Sequence, residues 1–313
     1  MRKWIVLLLV FLVICFGAVY FLIPNTITVK KETRLGVNAN AFTREFLQEG
    51  TGHLLHATNT VNLTPNSGFV YNGNTYTPVE KKFTSLVYTV QHANDTMLAE
   101  LVVIPFRTDT VALSFVGLTK AGGDPFGRIG KAVWAKRVAA DLGSLMQQLQ
   151  VHYGDTASIY GYPIRKVLVT DTALISTAAH FKTYPDNARI YAMVDQLKTF
   201  ANNKGAAQTG PPMLNVTITQ DSSYLTRVAL PLNKRLSSEG DIQHKWMMNK
   251  GNILVADVKG GPAAIKKAMA AVKTFVNDHG LAAVAIPFES MVTDRRAEPD
   301  TSKWITRIYW PII

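Results

Sequence analysis

Two similar segments about 75 residues apart in the C-terminal half constrain the fold of this 313-residue chain more than any other feature. Apolar residues recur in both segments with the spacing +4, +3, +3, +1, at Ile190, Val194, Leu197, Phe200 and Ala201, and at Ile265, Met269, Val272, Phe275 and Val276. This spacing places an apolar stripe along an amphipathic helix. A proline precedes each stripe and a glycine follows it, which are expected start and stop signals. The sequence therefore predicts two related helices.

Strand candidates surround both helices in the same order. ALISTAAHFK and NILVADVKG precede the helices, and GPPML and AIPFE follow them, so that Pro212 aligns with Pro287. The closing strands, YLTRVALPL (residues 224–232) and WITRIYWPI (residues 304–312), alternate with a period of two. Each segment is thus predicted to form a β-α-β-β unit, and two units would make a domain with a pseudo-twofold axis. A groove at that axis is a natural site for a small molecule.

A resemblance to a known family rests on the string KGGP…DHGL…PFE…TD…EPD…SKWITRIYWPI. From about residue 160 to the end, the chain resembles the effector-binding domain of AraC-type regulators, the GyrI-like family of small-molecule-binding domains. The resemblance implies a pocket glutamate used against cationic, aromatic ligands, and a few relatives use such an acid for hydrolysis. The implied residue is Glu289. No helix-turn-helix pattern precedes the domain, so we expect no direct binding to DNA.

Glu289 aligns with Leu214 in the other segment, so the packing of the repeat does not require a carboxylate there. A carboxylate among aromatic side chains would attract a lipophilic cation, and a buried acid suits general acid–base chemistry. The predicted ligand-binding residues are therefore Glu289 and the nearby aromatic residues Phe288, Trp304, Tyr309, Trp310 and Tyr191. In the alternative interpretation Glu289 faces solvent or pairs with Arg307.

An uncharged apolar run starts at Trp4 and ends at Pro24. As a helix it would span the roughly 30 Å hydrocarbon core of a bilayer. A cleaved signal peptide would have a shorter apolar region and small residues at the cut, so a retained anchor is favoured over a signal peptide or a buried core helix. We expect a bacterial single-pass protein of the inner membrane, with residues 1–29 as anchor and linker and the remainder outside the cytoplasm, in the periplasm.

Residues 30–157 are predicted to form a separate domain before the GyrI-like domain at residues 158–313. VNANAFTREFL is interpreted as a strand and a short helix, and KKFTSLVYTVQ, TMLAELVVIPF and DTVALSFVGLT as strands. A long amphipathic helix follows, with Asp124 and Pro125 at its start. This order resembles the helix-grip fold of the SRPBCC (START/polyketide cyclase) superfamily, although GTGHLLHATN stands where family members often have tryptophans. The predicted fold class is therefore α+β.

The sequence lacks the motifs of several common classes of enzyme and binding protein. There is no G-x-S-x-G elbow, phosphate loop or dinucleotide fingerprint, and His53 and His56 make at most half a metal site. The net charge of +11 is spread without basic runs, so no nucleic-acid partner is expected. The acids of TDRRAEPD are interpreted as part of a solvated loop. We therefore predict a membrane-anchored protein that binds an amphipathic or cationic organic molecule, without cofactor, metal or turnover; the alternatives are a hydrolase using Glu289 and an envelope scaffold.

Overall fold

The computed structural model describes residues 2–48, 68–170, 173–247 and 249–313. The chain divides into two compact units, Met1–Asp155 and Thr156–Ile313. Both units combine helices with an antiparallel sheet. The predicted mixed α+β class is confirmed, and the N-terminal apolar run forms a helix.

The apolar run forms helix α1, Arg2–Leu22. Its stretch from Lys3 to Leu22 has a mean hydropathy of 3.1 and is long and apolar enough to cross a membrane. The helix side chains are largely exposed, as expected of a segment whose apolar surface is not covered by the protein. At its end, the Arg128 guanidinium donates to the Ile23 carbonyl oxygen (2.7 Å) and to Asn25 Oδ1 (2.9 Å).

The first unit contains a six-stranded sheet within the described residues, in the order β1–β6–β5–β4–β3–β2. The strands are β1 Thr26–Leu35, β2 Phe69–Tyr71, β3 Asn74–Lys81, β4 Ser85–His92, β5 Asp95–Arg107 and β6 Thr110–Lys120. Buried and less buried residues alternate along β5 and β6, as the period of a strand requires. The three strands predicted here are observed as β4, β5 and β6. Because β1 begins at Thr26, the predicted domain start at residue 30 falls inside a strand.

Helices complete the first unit. The long helix α3, Pro125–Tyr153, starts where predicted, with Asp124 Oδ1 accepting from the Gly127 backbone N–H at 2.8 Å. VNANAFTREFL differs from its predicted strand and helix. It holds α2, Ala39–Phe42, capped by Asn38, and then a π-helical segment, Thr43–Gln48. The strand lies earlier, in β1. His53 and His56 lie outside the described residues.

The second unit contains an eight-stranded sheet within the described residues, in the order β11–β8–β10–β9–β13–β14–β12–β7. Its strands are β7 Ile164–Leu168, β8 Ala173–Phe181, β9 Met213–Ile218, β10 Tyr224–Pro231, β11 Gln243–Trp246, β12 Asn252–Lys259, β13 Phe288–Met291 and β14 Ile305–Pro311. Its helices are α4 Thr156–Tyr160, α5 Asn187–Asn203 and α6 Pro262–Asp278, with a 3-10 turn at Thr301–Lys303. The two central strands, β9 and β13, pair with Glu289 directly opposite Leu214.

One face of this sheet is covered by α5 and α6. The apolar stripe of α5 packs in a core with Leu214, Val228 and Leu230 of the sheet. The corresponding stripe of α6 buries Ile265 and Val272. Because side chains alternate along each strand, neighbouring residues of β9, β10, β13 and β14 point to the opposite face. The sheet therefore presents two chemically different surfaces.

Candidate functional site

A groove on the helix-covered face forms a cavity of about 690 Å³, within the usual size range of small-molecule pockets. The start of α5 and one side of α6 form its walls, and the sheet forms its floor. The lining includes the apolar or aromatic residues Tyr184, Ile190, Val216, Ile265, Met269, Pro287, Trp304 and Trp310, and the charged residues Asp186, Lys266, Lys273, Glu289 and Arg295. The groove is thus largely apolar with a small number of charges.

The helices place their side chains in the groove by ordinary helical spacing. On α6, Ile265, Met269 and Lys273 are four residues apart and therefore share one side of the helix. Pro262 occupies the first turn, where its missing N–H removes no helical hydrogen bond. On α5, Asp186 caps the helix by accepting from the Arg189 backbone N–H at 2.8 Å. Both walls are therefore regular helices with defined beginnings.

Glu289 on β13 forms an ion pair with Arg295, which lies in the loop after the strand. Arg295 Nη2 donates to Glu289 Oε2 at 3.0 Å. The Arg295 side chain is only 6% exposed and that of Glu289 only 16%, so solvent screens the pair weakly. The acid of the groove therefore already has a cationic partner inside the protein.

Arg295 has further contacts that fix its position. Its Nη2 also donates to Thr306 Oγ1 at 3.0 Å, and the guanidinium carbon lies 4.9 Å from the centre of the Trp304 ring. Its backbone N–H donates to the Tyr191 hydroxyl at 2.8 Å. Its buried Nε atom has no hydrogen-bond partner among the described residues. The expectation that TDRRAEPD is a solvated loop is therefore wrong at Arg295, which lies at the floor of the groove.

Of the other charged residues of this loop, Asp294, Arg296 and Asp300 are exposed, and Arg296 pairs with Asp294 and with Asp195 of α5. Asp294 accepts from Arg296, and the guanidinium of Arg296 lowers the pKa of Asp294. Asp300 caps the 3-10 turn by accepting from the Ser302 backbone N–H at 3.0 Å, and hydrogen bonds from Ser302 lower the pKa of Asp300. These acids support the loop that holds Arg295 and stay away from the groove lining.

Two tryptophans line the groove near the ion pair, and both are largely buried. Trp304 Nε1 donates to the Glu298 carbonyl oxygen at 2.8 Å, which fixes the ring beside Arg295. Trp310 Nε1 is buried without a hydrogen-bond partner among the described residues. A buried indole usually has one, so Trp310 departs from this rule within the described residues.

The structure brings together three of the six predicted ligand-binding residues, namely Glu289, Trp304 and Trp310. Phe288 and Tyr309 lie on the opposite face, where their rings stack with centroids 5.1 Å apart. The reason is the period of a strand, because Phe288 is adjacent to Glu289 and Tyr309 is adjacent to Trp310. Including both members of each adjacent pair in one pocket was an error that this period could have prevented.

Tyr191 and Arg307 also differ from expectation. Tyr191 lies outside the groove lining, and it holds the Arg295 backbone while the Arg296 guanidinium covers its ring at 4.3 Å. The alternative pairing of Glu289 with Arg307 is wrong, because Arg307 Nε donates to Asp257 Oδ1 at 2.6 Å on the opposite face. Arg295, the actual partner, was missed since only the folded loop brings it back to Glu289.

The charges of the groove lining favour no simple cation site. Three cations (Lys266, Lys273 and Arg295) and two anions (Asp186 and Glu289) line it, which gives a formal balance of +1. Burial, and secondarily the charge of Glu289, raise the pKa of Tyr184 at the groove edge above its ordinary value. The arrangement can hold an apolar body between two helices, with charged groups at the floor and rim.

Neither a family model nor a curated protein sequence matches the chain. Among solved structures, the EcmrR C-terminal domain is 16% identical with a TM-score of 0.39, covering 49% of this chain and 98% of its own. A hydrolase from Listeria innocua is 13% identical with a TM-score of 0.37, covering 48% and 91%. The di-domain ARO/CYC protein BexL is 11% identical with a TM-score of 0.33, covering 92% and 85%. Likenesses this weak assign neither a family nor a function.

Proposed function

We propose that the second unit is a GyrI-like effector-binding domain that holds a small amphipathic organic molecule in the groove between α5 and α6. The observation that carries the proposal is the cavity of about 690 Å³ with apolar walls and with Glu289, Arg295 and two tryptophans in its lining. Such a combination of apolar surface and a few convergent polar groups is typical of ligand pockets. The sequence resemblance supports the same function.

The proposal includes a duplicated β-α-β-β unit as the origin of the groove. The strand order supports it, because β8–β10–β9 on one side of the sheet is mirrored by β12–β14–β13 on the other. In each half, the helix connects the outer of these strands to the central one. The two helices then lie on the same face and flank the central β9–β13 pair, where Glu289 is located.

The ion pair limits the charge of the ligand. Arg295 already occupies the carboxylate of Glu289 and lies over Trp304, which are the two groups expected to attract a lipophilic cation. A cationic ligand therefore has to compete with Arg295 for Glu289, whereas an uncharged amphipathic ligand can leave the pair intact. We propose that the apolar part of the ligand contacts Trp310 and Met269, while its polar part reaches the ion pair.

We further propose that α1 anchors the protein in the inner membrane with both units outside the cytoplasm, in the periplasm. The length, apolar composition and exposure of α1 support the anchor. The proposed domains are residues 30–157, similar to the SRPBCC superfamily, and residues 158–313.

The two alternative functions, a hydrolase and a scaffold, each require a different structure of this groove. A hydrolase would use Glu289 as general acid or base, but one oxygen of Glu289 is engaged by Arg295. A scaffold would have the groove filled by Trp310 and Tyr309, whereas the cavity is open and Tyr309 lies on the other face. Ligand binding without turnover is therefore the function that the geometry supports best.

The proposal is tested by filling the groove with a larger side chain and identifying the small molecule that no longer copurifies. Ala270 is exposed on α6 and lines the cavity, and Ala263 is exposed on the same helix outside the lining. The full chain, Ala270→Phe and Ala263→Phe are purified in lipid nanodiscs, and copurifying small molecules are quantified by mass spectrometry. We expect one amphipathic compound at least about tenfold depleted from Ala270→Phe alone. Equal amounts in all three proteins would contradict binding in the groove.

A second measurement addresses the charge of the ligand. Binding of a lipophilic cation and its uncharged isostere is compared between the wild type and Glu289→Gln. If the ligand leaves the ion pair intact, we expect the wild type to bind the cation and its uncharged isostere with similar affinities. A preference of more than about tenfold for the cation, lost in Glu289→Gln, would instead show that the ligand displaces Arg295. Turnover of the bound compound, abolished by Glu289→Gln, would favour the hydrolase.

A further inference from the structure

The sheet of the second unit carries another cavity, of about 480 Å³, on the face away from α5 and α6. Its walls include Trp246 on the edge strand β11 and Ile286 before β13, which are 56% and 47% exposed. Met213 and Phe288 contribute apolar surface from β9 and β13. Apolar side chains that line one concavity together with a few polar groups are typical of a binding site.

Arg227 on β10 lines this cavity, and its side-chain hydrogen-bond partners are uncharged. Its Nη1 donates to Asn215 Oδ1 at 3.1 Å and to Thr217 Oγ1 at 3.0 Å. Within the part of the chain that the structure describes, no carboxylate lies within ion-pair distance of this guanidinium. The Arg227 side chain is half-buried, so its charge acts in a partly desolvated setting where a counter-ion is worth more than in water.

The corresponding arginine of the other segment has the counter-ion that Arg227 lacks. Arg307 of WITRIYWPI aligns with Arg227 of YLTRVALPL and lies on the same face of the sheet. Arg307 pairs with Asp257, its direct neighbour on β12. The residue in that position beside Arg227 is Ala178 on β8. Arg307 thus has a carboxylate partner, which Asp257 also shares with Arg165, whereas Arg227 has none among the described residues.

The remaining charges keep the cavity positive. Lys245 on β11 lines it and is exposed, and no ion pair to it is found among the described residues. Asp241, also exposed, is the one carboxylate in the lining. Two cations and one anion give a formal balance of +1 next to an apolar surface. This combination complements a small anion with an apolar body.

We propose that this cavity binds an organic anion, an aromatic or aliphatic carboxylate, whose carboxylate pairs with Arg227 and whose apolar part contacts Trp246 and Phe288. The site is separate from the α5–α6 groove, because the two cavities open on opposite faces of the sheet and share no lining residue. It therefore does not depend on the function proposed for that groove. A carboxylate would make with Arg227 the contact that Asp257 makes with Arg307.

The test uses two probes that differ only in charge, 2-naphthoate and the uncharged 2-naphthamide, with the full chain in detergent micelles. Affinities are measured by isothermal titration calorimetry. In the wild type we expect the naphthoate to bind at least about tenfold more tightly than the amide. Arg227→Gln should remove this preference and leave the amide unchanged. Arg307→Gln, with the same loss of charge on the same face, should change either affinity less than about twofold.

A second variant keeps the test decisive if Arg227→Gln does not fold. Ala178→Asp supplies the counter-ion present beside Arg307, so it should preserve the fold and abolish the naphthoate preference. Ala270→Phe, which fills the α5–α6 groove, should leave naphthoate binding unchanged. Equal affinity for both probes, no binding of naphthoate, an equal loss in Arg307→Gln, or a loss in Ala270→Phe would each overturn the proposal.

Discussion

The ion pair between Glu289 and Arg295 makes a quantitative prediction about the stability of the central strands. Arg295→Met removes the cation and leaves a carboxylate that is only 16% exposed without its partner. Removing one partner of a buried pair costs about 3 kcal/mol at the lower end of the usual range. The lost hydrogen bond to Thr306 adds about 1 kcal/mol. We therefore expect Arg295→Met to destabilise β13 and β14 by about 4 kcal/mol.

The paired change separates the charge interaction from packing. Glu289→Leu introduces the residue that the opposite position of β9 already has, Leu214, and should cost about 3 kcal/mol because it leaves Arg295 buried and unpaired. The double variant leaves neither ion unpaired and retains only the loss of the Thr306 hydrogen bond, so it should be destabilised by about 1 kcal/mol, and the coupling free energy should exceed about 3 kcal/mol. Each single variant leaves one charged side chain buried without its partner, whereas the double variant leaves none.

Hydrogen exchange of the full chain in detergent micelles, read by mass spectrometry, measures these values locally. Because about 1.4 kcal/mol corresponds to tenfold, peptides covering β13 and β14 should exchange more than a hundredfold faster in either single variant. Peptides from β4, β5 and β6 in the first unit serve as the internal control and should not change. Additive single costs, with a coupling free energy below about 0.5 kcal/mol, would refute the ion pair as a determinant of the groove.

Two further predictions concern the first unit. Arg128→Leu removes both hydrogen bonds to the segment after α1. It should lower the free energy of local opening at residues 23–25 and at the start of α3 by about 2 kcal/mol, which speeds up hydrogen exchange there. Unchanged exchange at these residues would contradict the prediction. Burial raises the pKa of Tyr76 and Tyr88 well above 10, the value of the unfolded chain. Their contribution to the stability of the fold is therefore complete below about pH 10. It decreases as the pH rises further, because the unfolded chain loses these protons first. The melting temperature should fall over this range, and Tyr88→Phe should make the fall less steep.

The strongly patterned elements could be predicted from the sequence, and the short edge strands could not. The helices α3, α5 and α6 have long apolar stripes with proline or aspartate starts, and β4, β5 and β6 alternate clearly. The edge strands β7 and β11 were missed. Their side chains are mostly exposed, so IRKVL and QHKW carry no alternation of apolar and polar residues.

The candidate site was only partly predictable for a different physical reason. The alignment of the two segments distinguishes Glu289 from Leu214, and Trp310 is predicted because it is an aromatic residue on the closing strand. The assignment of Phe288 and Tyr309 to the same pocket ignored the alternation of a strand, which is a local rule. Arg295 could not be placed by any local rule, because its contact with Glu289 depends on how a loop folds back onto the sheet. Contacts of this kind are set by tertiary structure alone.

The differences between the two segments explain why the two faces of the sheet should select ligands of different charge. On the helix face, Glu289 stands opposite Leu214, and a loop supplies Arg295 to neutralise it. On the other face, Asp257 pairs with both Arg307 and Arg165, while Ala178 leaves Arg227 without a neighbouring carboxylate. A buried charge without an ion-pair partner is costly unless another group compensates it. The Glu289–Arg295 pair therefore needs no counter-ion from a ligand, whereas Arg227 gains most from an anion.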